Sequence, residues 1–314
     1  MFYKTVKSLR SKCCLILIVA LFLSSCGNAS AGPESLNIVF KYDANFWNYY
    51  DLSHTSFPTQ EDFEELTRQY IMQIRERLGI ADWLQPINPK ADTLVFHLNI
   101  IGETSSTTIL PSVVENEAEV RISLNRKYLT LAGFDAALAH ELTHMMCPSF
   151  SQSLEEGLCN YMDVEIGANN FYRQLGWNIQ EIYKLIFEYE AQRYDISAEE
   201  ITEIINLVGK SGHGYPYVEF VNAASLNNPK TSLWFDYSSS FVRYLLENYG
   251  TECTANLIRC GEDESAYQKY FHKTLDELRE EWISYMNALE SEHSLEELME
   301  ADEEFYSAVK LRVN

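Results

Sequence analysis

The chain has 314 residues, of which 46% are hydrophobic and 13% aromatic, and its formal net charge is −22. A chain of this length and composition can bury one large core or two modest ones. The acidic balance argues against a nucleic-acid-binding function, because that binding depends on Lys and Arg side chains that neutralise phosphates.

Residues 1–25 predict an export signal rather than a folded element. Their basic residues lie before the apolar run Cys13–Leu23, which is too short for an ordinary membrane-spanning helix. Ser24-Ser25-Cys26 then resembles the bacterial lipoprotein signal, in which the cysteine is lipidated and becomes N-terminal after cleavage. The alternative is a plain secretory signal with an incidental cysteine. Residues 26–35 would follow as a short tether.

Hydrophobic spacing predicts the elements that follow the tether. Period-two alternation or a short apolar run predicts strands, and helical spacing that ends at Gly79 predicts a helix. In chain order these elements are a strand over Leu36–Tyr42, a helix over Glu61–Leu78, and strands over Thr93–Ile101 and Glu117–Leu124. The last strand is expected to be half-buried, with Ala118, Val120, Ile122 and Leu124 on its inner face.

The motif H-E-x-x-H occupies residues 140–144, on a segment that also predicts helix and ends at Cys147-Pro148. Residues four apart lie on one face of a helix, so His140 and His144 can point at one ion. Glu141 lies about 100° round the helix, within reach of a water beside that ion. This arrangement indicates a catalytic zinc site. Two buried core histidines are the alternative.

A hydrolytic zinc also needs a third protein ligand and one open position. Glu156 is the best candidate, because eleven residues separate it from His144, enough for a turn and the start of a second helix. Gly157 beside it would let that helix pack closely against the first. Glu155 competes as a ligand, but it would lie on the wrong side of the helix if Glu156 points to the metal.

The order H-E-L-T-H followed by L-x-E-G-x-x-x-Y resembles the gluzincins, zinc peptidases that add a glutamate ligand to the HExxH motif. Within them the chain resembles the bacterial peptidase MA-like group, related to M1-type aminopeptidases and more distantly to thermolysin. Tyr237–Gly250 resembles the helix with the catalytic tyrosine, and Leu275–Trp282 resembles the closing helix. The resemblance touches roughly residues 117–163 and 231–286. It implies a zincin-like fold, one Zn²⁺, and an edge strand beside the cleft that binds an extended substrate.

The same resemblance assigns roles to single residues. Glu141 would be the general base beside the ligands His140, His144 and Glu156. Asp163 would orient a ligand histidine, and Tyr237 would donate a hydrogen bond to the oxyanion. His213, in its Gly-flanked loop, is the alternative donor, and ordinary structural roles stay open for Asp163, Tyr237 and His213. The connection from His144 to Glu156 is shorter than in the named enzymes, and no glycine-rich exopeptidase motif precedes the site.

From about Ile179 onward the spacing predicts mostly helix. The sequence therefore predicts an α+β protein, with a small mixed sheet and the active-site helix in residues 36–165. A helical subdomain over 166–290 and an acidic, solvated tail over 291–314 would follow. The helices expected in this part are Glu181–Tyr194, Ala198–Val208, Leu233–Tyr249 and Thr274–Leu289.

Four cysteines lie outside the signal and its lipidation site, namely Cys147, Cys159, Cys253 and Cys260. Local disulfides joining 147 to 159 and 253 to 260 are compatible with an exported protein, and four free thiols are the alternative.

These observations together predict a monomeric zinc peptidase that acts on a peptide or protein substrate. It would be exported and anchored by Cys26 to a bacterial membrane, on a face that the sequence does not specify. The alternatives are a zincin-fold lipoprotein that binds a partner without catalysis, and a zinc hydrolase that acts on a non-peptide bond.

Overall fold

The fold combines a small mixed sheet with a larger set of helices, which confirms the predicted α+β class. The computed structural model describes residues 37–44, 46–49, 59–80, 83–84, 87–101, 105–125, 135–167, 173, 175–212 and 229–301. The signal and tether predicted from the sequence lie outside these ranges.

Four strands and a series of helices have both ends within the described residues. The strands are β1 (Asn37–Tyr42), β2 (Thr93–Ile101), β3 (Ser106–Leu110) and β4 (Glu117–Asn125). The helices of the first half are α1 (Phe46–Tyr49), α2 (Gln60–Leu78), α3 (Asp135–Met146) and α4 (Gln152–Ile166). Those of the second half are α5 (Ile179–Arg193), α6 (Ala198–Leu207), α7 (Pro229–Tyr249), α8 (Thr251–Cys260), α9 (Ser265–Phe271) and α10 (Leu275–Ala288).

The sheet has the order β1-β2-β4-β3. β2 and β4 run parallel, whereas β3 is antiparallel to β4. The expected inner face of β4 is confirmed, because Ala118, Val120, Ile122 and Leu124 are all buried. β3 was not expected from the sequence, and it is the outer strand next to β4. The strand that directly precedes α3 in the sequence is therefore interior, and β3 supplies the edge on that side.

Helix α4 lies between α3 and α7 and brings the two halves of the chain together. Gly157 makes the contact with α7 close, since a Cβ there would lie 2.4 Å from the carbonyl oxygen of Ser238. The expectation that Gly157 serves close packing against α3 is wrong. Gly157 follows Glu156 by one residue, so it lies about 100° round α4 from the face that meets α3.

Buried hydrogen bonds tie α5, α7 and α10 together. The indole nitrogen of Trp282 donates to Ser240 Oγ at 3.0 Å, and that hydroxyl donates to the Gln180 side chain at 2.7 Å. Gln180 returns a bond to the Ser240 carbonyl at 3.0 Å. A buried polar chain with satisfied partners fixes the register of these three helices.

The predicted helical C-terminal part is confirmed, with differences at its ends. The sequence did not indicate α8 and α9, and α7 begins four residues before the expected start. Leu298, in the tail predicted to be solvated, is buried against Ile182 and Leu185. Among the described helices, none is both long and apolar enough to cross a membrane.

Candidate metal centre

Two imidazoles meet on one face of α3. The Nε2 atoms of His140 and His144 lie 3.1 Å apart, as expected for side chains one helical turn from each other. The opposite faces of α3 are apolar, and Leu138, Leu142 and Met145 are fully buried. Burial of this apolar surface fixes the rotation of the helix and so directs both histidines toward α4.

Glu156 on α4 completes a three-donor cluster with the two histidines. Its Oε2 lies 3.3 Å from His140 Nε2 and 3.6 Å from His144 Nε2. A tetrahedral zinc with Zn–N and Zn–O distances of about 2.0–2.2 Å holds such donors roughly 3.3–3.5 Å apart. The three donor separations are close to that spacing, so these residues could hold a metal of this size.

Protein surrounds this cluster closely. The side chains of His140 and Glu156 keep 21% and 13% of their exposure, so the donors are mostly but not fully buried.

Glu155 contacts His144 at Nδ1, the ring nitrogen that does not face the other donors. Its Oε1 accepts a hydrogen bond from His144 Nδ1 at 2.7 Å, and its Oε2 accepts from the backbone N–H of Ser149 at 3.0 Å. The bond to Nδ1 fixes the tautomer that leaves the Nε2 lone pair free for a metal. Both carboxylate oxygens of Glu155 are therefore engaged by His144 and Ser149, contacts that the sequence did not indicate.

Asp163, which was expected to orient a ligand histidine, lies farther along α4 than Glu155 and Glu156. It is buried near the C-terminal end of α4, where its Oδ1 lies 2.3 Å from the position that a Cβ on Gly167 would take. It also raises the pKa of the Tyr183 hydroxyl through its charge, after the larger effect of burial. Two helical turns separate Asp163 from Glu156, which places it about 10 Å further along the helix axis.

Electrostatic effects favour a cation at Glu156 but favour protons on the two histidines. Burial raises the pKa of Glu156, but hydrogen bonds from His140 and His144 outweigh it and hold that pKa well below its usual range. Burial lowers the pKa of both histidines. On balance Glu156 raises the pKa of His140, and Cys159, followed by Glu155 and Glu156, raises the pKa of His144. A metal would have to displace protons from these histidines, so any metal binding at this cluster would weaken as the pH falls.

Glu141 lies beside the cluster, held by a residue from the edge strand. The side chain is only 3% exposed, and Thr107 Oγ1 on β3 lies 2.7 Å from its Oε2 and 2.9 Å from its carbonyl oxygen. The Thr107 hydroxyl has one proton, which the two acceptors share. Thr107 therefore links the side-chain carboxylate of Glu141 to the backbone carbonyl of the same residue. Burial raises the pKa of Glu141, although the histidines and Thr107 oppose this effect.

Cys159 is a further potential ligand, whereas the sequence was interpreted as giving it either a disulfide with Cys147 or a free thiol. His140, His144 and Cys159 form a group that could hold a metal ion, with their donor atoms all within 4.8 Å of one another. The sequence spacing could have indicated this ligand, because Cys159 follows Glu156 by three residues and so lies on the same face of the helix. All four cysteines in the described part of the chain are free thiols, so neither expected disulfide is formed.

Tyr237 packs among aromatic side chains and is not brought to the histidines by any described contact. Its ring stacks on Phe187 with centroids 3.9 Å apart and meets the edge of Trp282 at 5.9 Å. It is 5% exposed, and burial raises the pKa of its hydroxyl to about 12. These contacts are those of a core residue between α5, α7 and α10.

Two further predicted residues, His213 and Cys26, lie outside the described residues. The residue before His213 is placed, however. Gly212 forms a parallel bridge with Ser151, and its N–H donates to the Phe150 carbonyl at 2.9 Å. Phe150 and Ser151 directly precede α4, the helix that carries Glu156.

Comparison of the chain with family models, with curated proteins and with solved structures found no match. The interpretation of the centre therefore depends on its geometry and chemistry.

Proposed function

We propose that this chain is a zinc-dependent peptidase of the gluzincin type, with a zincin-like fold. The observation that carries the proposal is the agreement between three donor separations and a tetrahedral metal site, with a buried carboxylate directly beside it. The donors are His140, His144 and Glu156, and the carboxylate is Glu141. Zinc, when bound, would lower the pKa of a water ligand and polarise the scissile carbonyl.

Glu141 would act as the general base and later as the proton donor. Burial raises the pKa of its carboxyl, which makes it a better proton acceptor than an exposed glutamate. It would take a proton from the attacking water and pass it to the leaving amine. Thr107 holds the Glu141 side chain during both transfers through the hydroxyl contact.

The edge strand β3 would bind the substrate backbone. Its inner edge pairs with β4, whereas no described strand pairs with its outer edge. An extended peptide can add to such an edge by main-chain hydrogen bonds. Because Thr107 belongs to β3 and contacts Glu141, a peptide on this edge would lie beside the base.

The donor of a hydrogen bond to the oxyanion remains one of the two sequence candidates. Tyr237 is occupied in the aromatic core, so we assign the role to His213, which follows the anchored Gly212. Loss of one such donor typically lowers kcat by about 10²–10³-fold.

The membrane anchor is proposed from the sequence. Cys26 would carry the lipid after removal of residues 1–25. Metabolic labelling with a radioactive fatty acid tests this. The intact chain should become labelled and Cys26→Ser should not, and labelling of Cys26→Ser would contradict the assignment.

The peptidase proposal is tested by metal analysis together with a digest of a peptide library, with and without chelator. We expect about one zinc per chain and cleavage that the chelator abolishes and added zinc restores. A chain without zinc would overturn the proposal. Zinc without cleavage would favour a non-catalytic binding protein, a second function for which the thiol of Cys159 beside the histidines is the specific observation.

A further inference from the structure

The face of α4 that meets the two histidines presents a thiol as well as a carboxylate. Glu156 and Cys159 are three residues apart and so neighbour each other on that face. Cys159 is fully buried, and its Sγ lies within 4.8 Å of the donor nitrogens of His140 and His144.

Two helices therefore contribute two donors each. α3 offers the nitrogens of His140 and His144, and α4 offers the oxygen of Glu156 and the sulfur of Cys159. Metal sites in packed helices are commonly built from such paired positions on facing helices. With a Zn–S distance of about 2.3 Å, tetrahedral geometry places sulfur roughly 3.5 Å from the nitrogen ligands. The donor atoms of His140, His144 and Cys159 lie within 4.8 Å of one another, so the sulfur would have to move inward to reach that separation.

We propose that Cys159 is the fourth ligand of the metal and closes the centre in its resting state. This inference rests on the metal site of the proposed function. Coordination replaces the S–H bond by a metal–sulfur bond, and the proton leaves to solvent. A site with four protein ligands has no position for water, whereas a hydrolytic site keeps one open. Before substrate is cleaved, a water must take the coordination position of the sulfur and the released thiolate must take up a proton from solvent, so Cys159 holds the enzyme in a latent form.

Cobalt(II) in place of zinc tests this ligand directly. The full chain, purified in detergent, is loaded with one cobalt and its absorption spectrum is measured. We expect an intense thiolate-to-cobalt charge-transfer band in the near ultraviolet. Cys159→Ser should lose that band while it keeps the weaker visible bands of cobalt. Cys147→Ser is the matched control and should keep both, because Cys147 is equally buried but lies outside the donor group.

The same samples show whether the thiol closes the centre. At equal metal loading, Cys159→Ser should cleave peptides several-fold faster than the unaltered chain, since its fourth position is open to water. Equal or slower cleavage by a folded, loaded variant would overturn the closure. X-ray absorption of the zinc-loaded unaltered chain requires no variant and should show one sulfur neighbour at about 2.3 Å.

The experiments give different results if Cys159 is not a ligand and if the chain is not a zinc peptidase. One bound cobalt without a thiolate band, together with cleavage that depends on Glu141, would remove Cys159 from the ligand set and leave the peptidase intact. Failure of every form of the chain to bind cobalt or zinc would overturn both.

Discussion

Glu155 accepts a hydrogen bond from Nδ1 of His144 at 2.7 Å, on the side of the ring opposite the other donors. The two residues stand eleven apart in the chain, yet the short loop between α3 and α4 brings them together. The same carboxylate also accepts from the Ser149 backbone, so it fixes both the loop and the histidine.

Replacement of Glu155 should weaken metal binding. In Glu155→Ala, His144 loses the acceptor that fixes its tautomer, and removal of such a partner typically costs about 10–100-fold in metal affinity. Competition with a fluorescent chelator measures this change. Asp163→Asn is the comparison, and its affinity should stay within about two-fold of the unaltered chain. If Asp163→Asn instead weakened metal binding more than Glu155→Ala, Asp163 rather than Glu155 would be the residue that orients the histidine.

Removal of the Thr107 hydroxyl should slow the reaction without loss of the metal. Thr107→Val loses a hydrogen bond to a charged group, a contribution of about 1.5–3 kcal/mol, so kcat should fall roughly 10-fold or more. That bond also lowers the pKa of Glu141, so the acid limb of the kcat/KM profile should move to higher pH. Thr107→Ser keeps the hydroxyl and should preserve both. An unchanged pH profile in Thr107→Val would show that Thr107 does not act through Glu141.

Tyr237→Phe should leave kcat nearly unchanged, because ring packing against Phe187 and Trp282 does not need the hydroxyl. His213→Ala should lower kcat by about 10²-fold if it supplies the oxyanion donor. Steady-state kinetics on both variants at equal metal loading separate the two candidates. A 100-fold loss in Tyr237→Phe would show that its hydroxyl reaches the reacting group after all.

Asp236 should make the fold less stable as the pH rises. Burial, with a smaller effect from Glu190, raises the pKa of this carboxyl to about 8, against 3.8 for an ordinary aspartate. The folded chain therefore holds a proton that the unfolded chain has lost, so the free energy of unfolding falls between about pH 4 and pH 8. The side chain keeps partial contact with solvent, which reduces the size of the effect.

Chemical denaturation of Asp236→Asn across that range tests this dependence. The variant cannot ionise, so it should lose less stability than the unaltered chain on the way to pH 8. Asp195→Asn is the control, because Asp195 is exposed and Asn tolerates its positive φ. Parallel stability curves for Asp236→Asn and the unaltered chain would contradict the raised pKa.

Local patterns predicted much of the fold. The alternation in β4 and the proline after Cys147 act within a few residues, and both expectations were confirmed. β3 was missed because Ser106–Leu110 has no buried face: only Thr107 and Leu110 are half-buried, and the other three residues are exposed. Its pairing with β4 is what makes it a strand.

In the site, too, some residue pairs could be predicted from local sequence spacing and others could not. Helical spacing alone pairs His140 with His144 and Glu156 with Cys159. The contacts of Glu155 with His144 and of Thr107 with Glu141 depend on how α3 meets α4 and β3, which no local pattern contains. The position of Tyr237 likewise follows from the packing of three helices, so spacing could not distinguish a core residue from a catalytic one.

The most direct test of the whole account is Glu141→Gln, with metal content and peptide cleavage measured on the same sample. Gln keeps the size of the side chain but cannot accept the proton, and no metal ligand is changed. The account predicts zinc at about one per chain and a loss of cleavage of roughly 10²–10⁴-fold. Cleavage at the unaltered rate by the zinc-loaded variant would contradict it.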